Sequence, residues 1–312
     1  MKIYRRLEPF PGPHRPRAVA VGNFDGLHLG HRRILRRLTA YARRKGLVSL
    51  LLTFAPHPEK ILGRGRVLMI QTLERRLELV RESGVDEVLV APFDAAFSSL
   101  TPNEFIRRVL LHALNARTVF LGTNFRFGRR RAGTAQTLRA FGERTRLFEV
   151  RIVPPLKSVG RTVSSSRIRE LLLSGDVSRA AALLGRPYEI RGRVVSGRAV
   201  GRRLGFPTAN IRPENEILPP GVFLSRALFS GRIHPGLTYI GRRPTFGSQE
   251  GGVHVETHCL RRRQNLYGRR ITIELLKRLR SDRKFPDAAA LAARIRRDAA
   301  RAESYFRRRE SG

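Results

Sequence analysis

The chain has 312 residues, of which 41% are hydrophobic, and 62 lysines and arginines stand against 25 acidic residues for a net charge of +37. That length accommodates two cores, and no apolar run approaches the ~20 residues of a membrane helix. The lone cysteine, Cys259, excludes an internal disulfide, and Met1-Lys2-Ile3-Tyr4-Arg5-Arg6 is followed by no apolar signal segment, so a cytoplasmic protein is expected. The positive charge is nearly all arginine and is spread along the whole chain, without a basic arm or interleaved aromatic residues. It predicts nonspecific attraction to polyanions at low salt and no specific nucleic-acid partner.

In chain order, apolar runs at 18–21, 48–53, 87–90, 118–121 and 147–152 alternate with helix-period segments at 30–44, 73–82, 102–114 and 135–141. Thr101-Pro102 supplies an N-cap and a proline at the first helical position. Such alternation predicts a parallel sheet with helices on both faces, whose ligands bind beyond the carboxyl ends of the strands. Two short helices follow at 164–174 and 177–184, and Gly185-Arg186-Pro187 marks a boundary, giving domains at 1–185 and 186–312. Beyond it lie short apolar runs at 190–195, 222–229, 237–240, 254–259 and 271–276, with Val253, Val255, Thr257 and Cys259 in strict alternation. This pattern predicts antiparallel strands closed into a small barrel. A last helix at 287–308 carries one apolar stripe of Leu291, Ile295, Ala299, Ala302 and Phe306. The expected fold class is therefore α/β, a Rossmann-like domain followed by a small antiparallel β-barrel with a C-terminal helix.

The segment Gly22-Asn23-Phe24-Asp25-Gly26-Leu27-His28-Leu29-Gly30-His31 places two histidines where a strand turns into a helix. Free N–H groups and the positive end of the helix dipole meet there, which suits an anion. Gly26 and Gly30 admit a ligand to the backbone, and the chemistry this favours is binding of a nucleoside triphosphate without a P-loop. A zinc site lacks further ligands. His57 follows the second strand and falls on the same sheet edge. After another strand, Asn124, Phe125, Arg126 and Phe127 either flank and hydrogen-bond a planar ring or, for the two phenylalanines, pack in the core. Ser164, Ser165, Ser166, Arg167 and Arg169 open a helix as either a second phosphate site or a solvated cap. In the second domain Gly197, Gly201 and Gly205 precede Thr208 and Asn210, neutral oxygen donors two residues apart on an extended segment. Such donors bind Mg²⁺ when substrate phosphates complete the octahedron. Glu256, in an alternating strand, is either a base for a hydroxyl or an exposed strand glutamate.

Taken in order, these stretches resemble the bacterial bifunctional riboflavin kinase/FMN adenylyltransferases, with motifs at 22–31, 53–58, 97–105, 122–128 and 164–169. They continue at 201–210, 243–246, 255–258 and 265–268. The resemblance implies that the barrel phosphorylates riboflavin to FMN with ATP and that the Rossmann-like domain joins FMN to AMP from a second ATP, releasing pyrophosphate. It implies Mg²⁺ held by Thr208 and Asn210, Glu256 as base, and the stretch of Gly197, Gly201 and Gly205 around the nucleotide. It gives ATP to His28 and His31 with Gly22, Phe24, Asp25 and Gly30, and the departing pyrophosphate to Ser165 and Arg169. Asn124, Phe125 and Arg126 would lie against the flavin, and His57 close to the reacting phosphates. The pattern departs at Tyr239, where the family usually has asparagine, and at Arg261-Arg262-Arg263, where it usually has an acidic turn. A monofunctional FMN adenylyltransferase with an impaired kinase domain is the alternative, ahead of another nucleotidyltransferase or a nucleic-acid binder. The sequence carries no signal of oligomeric state.

Overall fold

Uninterrupted apolar runs form strands buried on both faces. In the computed structural model, which describes all residues except 8–14, 64–66, 159, 198–204, 243–251, 261–264, 284 and 311–312, four such runs and two edge strands, one of them partly exposed, make a wholly parallel sheet. Its strands are β1 (Lys2–Tyr4), β2 (Arg17–Val21), β3 (Val48–Ala55), β4 (Glu87–Pro92), β5 (Ala116–Gly122) and, after the small hairpin of β6 (Arg126–Phe127) and β7 (Gly133–Thr134), β8 (Glu149–Val153). Their spatial order is β1-β4-β3-β2-β5-β8. The order reverses beside β2, so the crevice at the carboxyl ends of β2 and β5 is the switch point where such sheets take their ligands.

Alternate residues of β2 serve opposite faces. Val19 and Val21 pack with Phe105, Ile106, Val109 and Leu138, whereas Ala18 and Ala20 pack with Leu35, Leu38, Leu77 and Val80. The second set comes from α1 (Leu29–Lys45) and from Leu73–Glu82, here α3 after the single turn α2 (Pro58–Ile61). Several details differ from the sequence expectation. The edge strand β1 is three residues long, too short to show a pattern in the sequence. Leu147 stands 43% exposed and the final strand begins at Glu149. After the turn α4 (Ala95–Ser99) and the capped start α5 (Pro102–Glu104), the expected α-helix continues as a π-helix over Phe105–Ala113. A two-stranded hairpin, β9 (Lys157–Ser158) and β10 (Arg161–Thr162), leads to α7 (Ser165–Leu173) and α8 (Val177–Leu184), with α6 (Ala135–Thr145) lying earlier against β8.

The rest is a closed six-stranded antiparallel barrel of β11 (Tyr188–Val195), β12 (Ala209–Pro213), β13 (Gly221–Phe229), β14 (Arg232–Arg242), β15 (Val253–Cys259) and β16 (Arg270–Arg280). Buried residues alternate with outward ones along its strands, and the buried hydroxyls of Ser225, Thr238 and Thr257 bond to one another at 2.8 and 2.9 Å. Outside the wall, Ala299, Ala302 and Phe306 of the C-terminal helix Ala288–Glu310 pack on Val222, Leu224 and Leu237, as its apolar stripe predicts. By compactness the chain divides into Met1–Leu68 with Leu73–Ser164, and Met69–Thr72 with Ser165–Gly312. Helices α7 and α8, expected in the first domain, group with the second unit.

Candidate active sites

In the first unit the loop after β2 is bent by Gly26 at φ +82° and by two large buried residues in the left-handed region, Phe24 at +51° and Leu27 at +36°. Bulky side chains rarely adopt that region, and where they do the surroundings hold them there, commonly at functional sites. His28 is the N-cap of α1: its Nδ1 accepts the His31 N–H at 3.2 Å. One of the helix amides expected for an anion is therefore already engaged, which leaves His28 Nε2 as the donor of the neutral ring. The His28 and His31 rings stack at 3.6 Å and 14°, and the Phe24 ring lies 4.7 Å from that of His31. Glycine at position 30 also leaves room for the histidine, since a Cβ there would sit 3.1 Å from the His28 ring, as one at Gly22 would from the Phe24 ring. Burial, the His28 ring and the Arg76 guanidinium hold the His31 imidazole well below the usual histidine range.

Beneath the loop, Arg76 of α3 is only 4% exposed and Asp25 only 1%. Arg76 Nη1 donates to the Asn23 carbonyl at 2.7 Å, to Thr53 Oγ1 at 3.1 Å and to the Phe54 carbonyl at 3.4 Å. Thr53 Oγ1 donates to the same Asn23 carbonyl at 3.0 Å, and the Asn23 amide lies 2.9 Å from His57 Nε2. His57, itself the N-cap of α2 through Nδ1, is thus joined to the histidine loop at the sheet's carboxyl edge.

The loop after β5 opens on a cavity of about 440 Å³ lined by Thr123, Asn124, Phe125, Arg126, Arg131, Thr134 and Gln136. The two readings of the phenylalanines divide between them. Phe127 is buried in the core, while half-buried Phe125 stacks on it at 5.6 Å and 17° and walls the cavity. Ser165 and Arg169 lie in the first turns of α7, in the second unit.

On the barrel, register brings Val222, Tyr239, Glu256 and Asn210 into one row across β13, β14, β15 and β12. Residues directly opposite share a face, and Val222 and Tyr239 put this one on the side covered by the C-terminal helix. Thr208 Oγ1 donates to Glu256 Oε2 at 3.3 Å. The backbone there is pinned by His258 Nδ1 at 2.8 Å from the Pro207 carbonyl, with Phe206 edge-on to the His258 ring. A Cβ on Gly197 would collide with the Asn210 amide, so any side chain there would have to displace that amide. Gly205 turns at φ +84°, whereas Gly201, the 243–246 motif and Arg261-Arg262-Arg263 lie outside the described residues.

Two halves of the chain match two family models, FAD synthetase over residues 11–167 and riboflavin kinase over residues 184–306. The bifunctional riboflavin kinase/FMN adenylyltransferase of Bacillus subtilis is 36% identical over 92% of each chain, and that of Escherichia coli K12 33% identical over 98% of each. The chain belongs to the bifunctional riboflavin kinase/FMN adenylyltransferase family. A crystal structure described as a macrolide-efflux protein from Streptococcus pneumoniae superposes with a TM-score of 0.85 at 29% identity, over 96% of this chain and 98% of that one. No helix among the described residues is long and apolar enough to cross a membrane.

The chain carries both domains, which favours the bifunctional reading over the monofunctional alternative. Sequence reasoning brought together Thr208, Asn210 and Glu256, and His28, His31 and His57 on one edge. It missed Arg76 and Arg131. Arg131 is one arginine of a run of three, and a charge run normally reads as a solvated face. Arg76 had a signal: it falls between Leu73, Leu77 and Val80, on the apolar face of its helix.

Proposed function

We propose that residues 1–185 perform adenylyl transfer at the histidine loop and that residues 186–312 phosphorylate riboflavin on the outer barrel face, in line with the spans of the two family models. The observation that carries the kinase half is the row of Asn210 and Glu256 with Thr208 bonded to the same carboxylate. Glu256 takes the proton of the riboflavin ribityl hydroxyl as its oxygen attacks the γ-phosphorus of ATP, and ADP leaves. A hydroxyl and an amide beside one carboxylate are hard oxygen donors. Among the described residues no group of three histidine, cysteine or acidic side chains offers a protein-only cage. This donor set fits Mg²⁺ shared with substrate phosphates. Bound by Thr208 and Asn210, the ion would neutralise charge on the transferring phosphoryl group. Gly197, Gly201 and Gly205 belong to the segment that wraps the nucleotide.

In adenylyl transfer the FMN phosphate oxygen attacks the α-phosphorus of ATP and pyrophosphate leaves, so no protein nucleophile is required and the residues position and stabilise charge. His28 and His31 hold the ATP phosphates in the loop of Gly22, Phe24, Asp25 and Gly30, with His57 beside the reacting groups. Asn124, Phe125 and Arg126 receive the flavin in the cavity that they line. The resemblance also assigns Ser165 and Arg169 to the pyrophosphate, so Arg169→Ala is expected to slow FAD formation alone. A demand for ATP in both reactions supports a cytoplasmic location.

The test is to incubate the protein with riboflavin, ATP and Mg²⁺ and separate the flavins. Asn210→Ala is expected to form no FMN yet convert added FMN to FAD, and His31→Ala to accumulate FMN. Equal damage to both reactions by each change would overturn the division into two sites.

A further inference from the structure

We propose that Arg76 is a positioning residue for adenylyl transfer: its buried guanidinium, tied to the Asn23 carbonyl, fixes the histidine loop against His57 and sets a permanent positive charge beneath it. The proposal rests on the placement of adenylyl transfer at that loop. The Asn23 carbonyl accepts from both Arg76 Nη1 and Thr53 Oγ1. These bonds lock the peptide just before Phe24, the residue that must be held at φ +51° for its ring to face His31. The same Asn23 reaches His57 with its amide. One guanidinium thereby joins the end of β3, the loop after β2 and the histidine of the loop after β3.

The position also carries a cost that a fold-only role does not account for. Arg76 Nε is buried without an acceptor among the described residues and His31 Nδ1 without a partner, and an orphaned buried donor such as the guanidinium N–H is expensive. The charge opposite is Asp25, itself buried. Arginine stays charged at every working pH, so the loop keeps a fixed cation beneath His31, whose imidazole burial holds below the usual histidine range. A planar fork that meets several acceptors at once is the property lysine lacks.

The experiment compares Arg76→Lys and Arg76→Met with the parent enzyme, measuring FMN-to-FAD and riboflavin-to-FMN rates on the same preparations. Arg76→Met is expected to lower kcat for FAD formation at least tenfold with the KM for FMN within twofold, Arg76→Lys to recover part of that kcat, and riboflavin phosphorylation to stay unchanged. In an Asn23→Ala background the Arg76→Lys loss should shrink, because the link to His57 is already gone. FAD formation at the parent rate in folded Arg76→Lys and Arg76→Met would overturn the proposal, as would a matching loss of the kinase reaction. His31→Ala is run alongside: if it leaves FAD formation intact, the site assignment has failed, whatever Arg76 does.

Discussion

At Glu256 one carboxylate accepts from Thr208 and faces Asn210 across the ladder, so removing its basicity while keeping its shape isolates the proton transfer. Glu256→Gln is expected to lower riboflavin phosphorylation by roughly 10²–10⁴-fold and to leave FAD formation from added FMN unchanged, as read by flavin chromatography. His31 makes a pH prediction. Its folded pKa is depressed, so above pH 6.5 it is neutral in both states and contributes no pH dependence. Below that value the unfolded chain takes up a proton that folded His31 refuses, and stability falls by up to about 1.4 kcal/mol per pH unit. Thermal melts at pH 7 and 5.5 should show a smaller drop for His31→Asn than for the parent; equal drops would contradict it. The Cys259 thiol, pushed up to about 11 by burial, is expected to resist alkylation at pH 8 until the protein unfolds. The histidines also show where reading the chain stops. Their placement at a strand-to-helix turn follows from spacing, but which ring nitrogen is used up by capping depends on the loop's left-handed turns, which no pattern encodes.

At the scale of elements, long periodic segments were legible and short or unusual ones were not. The strands of the sheet and α1 announce themselves by hydrophobic period. A three-residue edge strand such as β1 carries no period, and the sequence of Phe105–Ala113 does not distinguish a π-helix from an α-helix. The extended segment bearing Thr208 and Asn210 was readable, but its crossing under Gly197 required the fold. Gly197→Ala should displace Asn210 and abolish FMN formation while melting stays within a few degrees, because the clash is confined to that amide. The C-terminal helix offers the opposite case. Phe306 is 8% exposed and packs outside the barrel wall, so Phe306→Ala should destabilise the second unit by about 3 kcal/mol in a denaturant melt.

For the whole molecule, charge and chemistry separate. The net charge of +37 is expected to retain the enzyme on single-stranded RNA at low salt, with affinity falling log-linearly as salt rises and no preference among sequences; a preference surviving physiological salt would refute this. The division into two units carries a different consequence through Met69–Thr72, a short piece of the first half of the chain that belongs to the second unit. The Met69 amide donates to Glu216 and Arg186 to Gln71, across sequence separations of 147 and 115 residues, with Ile70 buried between them. During synthesis this piece leaves the ribosome long before its partners exist. Contacts so distant in sequence close late and slowly, so the second unit finishes folding only after a segment made early is recaptured. A barrel expressed alone from residue 165 lacks that segment from birth.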